Sequence, residues 1–297
     1  PGRVLVRLYA LGAVAAVTGT ILIYANCQGE ELLLTGGYLP SLADRIAFRW
    51  IPYHLTTEAD WDARYGPGFM ADVTEVWEQT ESAPPTPNRM QLHARIPDSA
   101  SIVRFPALSA QCLWPLAGND PRAAADPQRY PWGDAVAALL AGSDLPDDEL
   151  FAEYMRASAE RMPDLARRLR FDVARWRALD AQSDVKAADW LENRFRSTRL
   201  FHTAGHLTAV AVAYLFKELA ARSPTIGSTA AQAAAEADLL LRRHGGQDWE
   251  TVPIHPLVGE RLDLAYYDPD HRYRWRGHEW TFRQYILRYI RWAPYLY

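Results

Sequence analysis

The chain carries only two cysteines, Cys27 and Cys112, in 297 residues. Two thiols make no disulfide framework, so the fold must rest on its core. Their scarcity points to a reducing compartment, read here as the cytoplasm. Surplus positive charge is missing too. The net charge of −4 removes the bulk attraction on which nucleic-acid binding relies, so no nucleic-acid partner is expected. No Gly-x-Gly-x-x-Gly and no Walker-type loop occurs, which argues against nicotinamide binding and ATP hydrolysis. No His-Glu-x-x-His helix is present, and no metal is expected.

Long apolar runs are scarce. The exception is residues 8–25, which carry no charge and follow Arg3 and Arg7. That length approaches the ~20 residues of a membrane span. It also has the order of a signal peptide's first two regions. Thr18, Gly19 and Thr20 interrupt it, and no small-x-small cleavage site follows. Residues 4–17 are therefore read as a short apolar helix or strand packed on the body or on a second subunit. Residues 1–18 form an N-terminal extension, and membrane association through it is the less favoured alternative.

What is present is a core and a distinctive turn. Hydrophobic residues make up 49% of the chain, with 11 Trp and 15 Tyr. That suffices for a folded body, and aromatics on this scale serve cores or ring-stacking surfaces. Thr20-Ile21-Leu22-Ile23-Tyr24-Ala25 reads as a buried strand. Asn26-Cys27-Gln28-Gly29 follows, and Glu30-Glu31-Leu32-Leu33-Leu34 opens a helix with acids in its first turn. Asn26 is a candidate N-cap. Cys27 then stands at the first helical position, where unpaired N–H groups and the helix dipole lower a thiol pKa. The same N–H groups suit an oxyanion. The competing reading is a small buried filler at a tight turn.

Strands are expected at 21–25, 45–51, 72–77 and 101–105, with helices at 28–35 and 57–65. A Gly36-Gly37 break ends the first helix, and loops fall near 84–88 and 126–131. Helical spacing then dominates at 147–161, 165–182, 185–195, 207–221 and 229–244. The fold class is α/β: a parallel sheet core with SGNH-like or Rossmann-like layering and a large helical C-terminal part. The chain reads as one domain. Residues 19–118 form the α/β core with the nucleophile turn, and 119–297 complete the site. The crevice lies beyond the carboxyl ends of the strands, where Cys27 sits.

A thiol nucleophile needs a base. His202 and His206 lie four apart in Phe201-His202-Thr203-Ala204-Gly205-His206, and would share a face if helical. Each could equally be a cap or core residue. Asp268-x-x-His271 matches the acid–histidine spacing of SGNH esterases, though Cys27 stands where their serine would. Arg272, Arg274 and Arg276 interleave with aromatics. They suit single-stranded nucleic acid, the phosphates of a nucleotide cofactor, or a solvated face.

Ile23-Tyr24-Ala25-Asn26-Cys27-Gln28 resembles the Asn-Cys-Gln signature of the WcbI-type polysaccharide biosynthesis acetyltransferases. Asp72-Val73 leading to Gln79 looks like that family's second core strand. Ser101-Ile102-Val103-Arg104-Phe105-Pro106 is similar to its strand ending in proline, and the segment ending at His206 resembles its Asn-His-Pro segment. Here Gly205 and Leu207 flank the histidine instead. The likeness runs from about residue 21 to about 267. It implies acetyl transfer from acetyl-CoA to a sugar hydroxyl of a capsular or surface polysaccharide. Cys27 would be the key catalytic residue and His206 its partner, with Asn26 and Gln28 shaping the oxyanion site. Arg104, Arg272, Arg274, Arg276 and His202 would contact the CoA co-substrate. The alternatives are a thiol-dependent SGNH-like esterase and a non-catalytic glycan-binding protein.

Overall fold

The computed structural model describes residues 18–81, 86–124 and 129–293. The apolar segment at 4–17 lies outside them, as do residues 84–85 and 126–128 of the two expected loops. Four strands form one parallel sheet: β1 (Gly19–Ala25), β2 (Ile46–Pro52), β3 (Val73–Thr80) and β4 (Ser101–Pro106). Their order is β2-β1-β3-β4. The chain steps from β1 to one side and then returns to the other, so the crevice opens where β1 and β3 end. All seven residues of β1 are buried, as a central parallel strand requires.

One face of the sheet is covered by α1 (Gln28–Tyr38), α9 (Ala209–Arg222) and α10 (Ala230–His244). The other carries α2 (Glu58–Ala63), α3 (Pro67–Met70) and α4 (Pro87–His93), packed through Trp61, Met70 and Leu92 on Leu22, Tyr24 and Val76. Thr57 starts α2 through a capping box with Asp60, the device its sequence signals. The α/β class is as expected. The four sheet strands and most helices fall within a few residues of their expected bounds. Helices α6 (Asp147–Arg161) and α7 (Leu165–Gln182) coincide with them.

One break is corrected. Helix α1 runs through Gly36 and Gly37 to Tyr38. Gly36 is there for closeness: a Cβ would stand 2.6 Å from the Phe48 ring. The glycine lets the helix lie on β2 and does not end it.

The C-terminal region builds a second cluster. It joins α5 (Ala135–Leu139), α6, the hairpin β5 (Tyr273–Trp275) and β6 (His278–Trp280), and α12 (Phe282–Ile290). Helices α8 (Ala188–Arg194) and α11 (Pro256–Arg261) complete the body. Trp275, Trp280, Tyr285 and Tyr289 are buried in this cluster. The aromatic half of the Arg–aromatic stretch is therefore core, and those rings are not free to stack on bases. Among the described residues no helix is long and apolar enough to cross a membrane.

Candidate active site

Asn26 leaves the end of β1 with its N–H donating to Gln79 Oε1 on β3 (3.0 Å). Its side-chain Oδ1 accepts from Gln28 N (2.9 Å). Cys27, one residue later than expected, is the N-cap of α1. Asn26 still supplies the capping oxygen. The Cys27 thiol is half-buried. Burial raises its pKa, outweighing hydrogen bonds from the Gln247 side chain and from the N–H groups of Cys27 and Gln28, which lower it; nearby Glu30 raises it further. The expected acidic thiol is thus corrected: donors surround the sulphur, but desolvation wins.

Gln28 is corrected as well. Its side chain is 1% exposed and fully engaged. Nε2 donates to Leu108 O (2.6 Å) and Gly205 O (2.8 Å). Oε1 accepts from Gln79 Nε2 (2.9 Å) and Leu108 N (3.3 Å). No donor is left for an oxyanion. Gln28 instead pins the His206 loop and the segment after β4 to the nucleophile turn, while its backbone N–H faces the sulphur.

The segment 202–206 is a closed loop and not a helix start. Phe201 pairs with Leu207 as an antiparallel bridge. His202 N donates to His206 O (2.9 Å), and Thr203 Oγ1 accepts from His206 N (3.0 Å). The loop brings His206 to the turn because both flanking residues are tied there. Gly205 O binds Gln28, and Leu207 N donates to Gln247 Oε1 (3.2 Å) while Gln247 Nε2 donates to Cys27 O (2.9 Å). His206 is 5% exposed, and its Nδ1 is buried with no hydrogen-bond partner. Burial lowers its pKa to about 4, so it is a neutral base at neutral pH. Trp132 stands edge-on to its ring at 5.1 Å and Trp249 lies at 5.7 Å. No hydrogen bond joins the Cys27 sulphur and the His206 ring among the described residues.

Gln247 is a site residue the sequence did not single out. It is 2% exposed and follows Gly245 and Gly246, whose φ values of 75° and 71° turn the chain sharply after α10. A Cβ on Gly246 would stand 2.7 Å from Ala209 N. The Gly-Gly pair was the available signal: the polar residue after such a turn approaches another backbone closely.

A family model described as WcbI, polysaccharide biosynthesis enzyme, matches residues 20–224. The chain belongs to the WcbI family. A solved structure of WcbI, described as a novel polysaccharide biosynthesis enzyme and as native protein without a disulfide bond between coenzyme A and a cysteine, superimposes with a TM-score of 0.62. It is 15% identical, over 93% of this chain and 89% of that one, and this likeness speaks for the fold. No curated protein matches. Family membership makes the chain one of the polysaccharide biosynthesis enzymes.

The cationic candidates of this WcbI-family chain divide between two places. Arg104 pairs in register with Glu78 and donates to it (3.1 Å). Arg89 (2.5 Å) and His93 (2.9 Å) of α4 meet the same buried carboxylate. Side chains alternate along a strand, so Arg104 faces away from Gln79 and the nucleophile turn. This corrects its reading as a companion of the C-terminal arginines. Of those, Arg274 lies in β5, Arg272 precedes it, and Arg276 follows in the hairpin turn with φ 48°. Arg274 pairs with Asp248, next to Gln247, and Arg276 pairs with Glu250 (2.7 Å). Arg272 is exposed. His202 is corrected too. Its Nε2 meets Gly245 O (3.1 Å) and must donate there, and burial lowers its pKa to about 4. Its free nitrogen is an acceptor, unsuited to a phosphate. His202 holds the Gly245 turn instead.

Arg199 was not foreseen. Its guanidinium donates to His271 Nε2 (2.8 Å) and lies 5.1 Å from the Tyr273 ring, while Nη2 is buried without a partner. His271 accepts from this arginine, and Asp268 Oδ1 accepts from Asp270 N (2.9 Å). The Asp-x-x-His pattern therefore serves a turn packed on Arg199. No hydrogen bond links it to Cys27. Among the described residues no group of three or more His, Cys, Asp or Glu is placed to hold a metal.

Proposed function

We propose that this chain moves an acetyl group from acetyl-CoA to a sugar hydroxyl in capsular or surface polysaccharide biosynthesis. The observation that carries it is the pair of amide clamps, Gln28 to Gly205 and Gln247 to Leu207 and Cys27, which tie the loop of a neutral histidine to the turn that bears the thiol. The naming of coenzyme A with a cysteine in the WcbI structure supports the donor. The face bearing Arg272 and Arg274, next to Asp248 and the Gln247 clamp, has the donor chemistry that phosphates take.

Acetyl-CoA supplies the activated acyl carbon as a thioester. His206 takes the proton of the acceptor hydroxyl as its oxygen bonds to that carbon and the carbon–sulphur bond breaks. The proton then passes to the departing thiolate. The Cys27 N–H at the turn, together with the Gln247 amide near the sulphur, supplies donors of the kind an oxyanion site uses, while the Gln28 N–H is held by Asn26 Oδ1. The raised Cys27 pKa favours this direct transfer over a route through an acetylated Cys27, which needs a ready thiolate.

Calorimetric titration with coenzyme A is the test. Saturable binding is expected, weakened at least tenfold when Arg272, Arg274 and Arg276 are all changed to Gln. No binding at millimolar coenzyme A would overturn the acyltransferase reading. Release of acetate from simple esters without coenzyme A would favour the esterase.

A further inference from the structure

A cavity of about 370 Å³ lies between the 111–119 segment and the second cluster, at the small end of the ~300–1,000 Å³ range of ligand pockets. Neither Cys27 nor His206 lines it, yet it adjoins the site. Trp132 forms part of its wall and stands edge-on to His206, and Ala204 of the histidine loop forms another part. Trp114, Tyr154, Phe282 and Tyr285 give it an aromatic lining.

Two facts define what it can hold. The first is charge. No Lys or Arg lines the cavity. Its one carboxylate, Asp134, is already committed to the N–H groups of Val136 and Ala137 and to the Tyr154 hydroxyl. His255 donates from Nε2 to Ser158 (2.9 Å) while its Nδ1 accepts from Leu257 N (3.1 Å), and burial keeps it neutral. An anionic group entering here would lose its water without gaining a counter-ion. The second is unfinished hydrogen bonding. Trp132 Nε1 and Tyr285 Oη, both on lining residues, are buried with no partner. Buried polar atoms are almost always paired in a completed site. An uncharged ring bearing hydroxyls meets both conditions: its apolar face lies on aromatics, and its hydroxyls can pair with the indole and phenol.

We propose that this cavity is the acceptor subsite and takes one uncharged sugar ring, with Trp132 as the wall shared with His206. This rests on the acyltransferase reading for its role in turnover but not for binding. The phosphates of the acyl donor belong with Arg272 and Arg274 and not in this cavity.

The test uses saturation-transfer NMR on the full chain with methyl α-mannopyranoside, methyl β-galactopyranoside and methyl β-glucopyranoside, and with glucuronic acid as the charged control. Transfer to at least one neutral glycoside and none to glucuronate is expected. Ala117→Trp, at the exposed rim, should abolish it, and Tyr285→Phe should weaken it several-fold, in proteins whose thermal unfolding is otherwise normal. Coenzyme A affinity, measured in parallel by calorimetry, should stay within twofold in both variants. Absence of transfer to every neutral glycoside, or transfer that survives Ala117→Trp, overturns the proposal. So does loss of coenzyme A affinity in Ala117→Trp, which would give the cavity to the donor's pantetheine arm. Glycoside binding without any coenzyme A binding in the parent protein would leave the subsite standing and remove the acyltransferase reading.

Discussion

Cys27 and Cys112 both follow the carboxyl end of a parallel strand, yet their surroundings oppose each other. Cys27 is half-buried, with the Gln247 amide and two backbone N–H groups at its sulphur. Cys112 is fully buried, and its neighbour is a carboxylate: Asp172 accepts from Cys112 N (2.8 Å). Burial and then that negative charge push the Cys112 thiol far above the usual range. Position at a strand end is therefore not what makes a cysteine chemical. Burial raises both thiols, and the groups that face the sulphur separate them, by offering protons to a negative charge or by repelling one.

One expected effect breaks this symmetry directly. On the direct route Cys27→Ala removes a side chain that shapes the acyl site and not the nucleophile, so kcat/KM for acetyl transfer should fall by about tenfold; a loss of about 10³-fold or more would point to the covalent route. Cys112→Ala should leave it within about twofold, as expected of a buried filler. Iodoacetamide on the native protein should label Cys27 alone. Labelling of both at equal rates would dissolve the distinction. So would full turnover in Cys27→Ala.

Next comes the base. His206→Ala should cost about 10²–10⁴-fold in kcat, the usual contribution of a positioned proton acceptor. The pH profile separates the two routes. His206, with a pKa near 4, is already neutral above about pH 5. Direct transfer therefore predicts an acid limb near pH 4 and a plateau through pH 8. A thiolate route predicts activity climbing about tenfold per pH unit past 8, because the Cys27 pKa is raised and only the ionised fraction reacts. A steady climb with no plateau would restore Cys27 as nucleophile.

A third contrast sets the buried amide Gln28 against the exposed Gln182, whose Nε2 reaches Ala178 O at 3.4 Å. Gln28→Ala strands the Leu108 and Gly205 carbonyls and the Gln79 amide. Each unsatisfied buried group costs about 1–3 kcal/mol, so a loss of at least ~3 kcal/mol is expected. Gln182→Ala should stay within about 0.5 kcal/mol. Urea midpoints at unchanged slope measure both. Equal midpoints would show that the hub adds nothing.

These contrasts also mark what the sequence could carry. The strand–turn–helix at Asn26-Cys27-Gln28 was legible, because β-branched runs, a capping residue and first-turn acids are local signals. The long helices α6 and α7 were legible for the same reason. What was not legible depended on contacts across the chain. Gln28 reads as an oxyanion residue until Leu108 and Gly205, 80 and 177 residues away, take its side chain. Gln247 lies 220 residues from the cysteine it binds. The thiol pKa failed for a related reason: the dipole and N–H groups are local, whereas the desolvation that overrides them is tertiary. The hairpin of β5 and β6 and helix α12 were lost among aromatics and arginines with no clean period.

The smallest expected effect concerns the acids beside the nucleophile turn. Glu31 stands in the first turn of α1, where a helix dipole should favour its charge. Burial, and then repulsion from Glu30 and Asp248, instead raise its pKa to about 7. Its folded pKa is thus above its unfolded one, so between about pH 4.5 and 7 the folded chain holds a proton that the unfolded chain has released. Stability should fall as pH rises through that window and stay lower above it. Glu31→Gln removes the penalty. Its Tm should match the parent's at pH 4 and exceed it at pH 8 by about 1–2 °C, the shift that ~1 kcal/mol produces in a chain of this length. Glu153, partly exposed and paired with Arg156 (2.6 Å), which lowers its pKa, is the control: Glu153→Gln should not raise the Tm at pH 8. If the Glu31→Gln and parent curves run parallel at every pH, the turn leaves Glu31 as free to ionise as a surface acid, and burial alone does not set the chemistry beside Cys27.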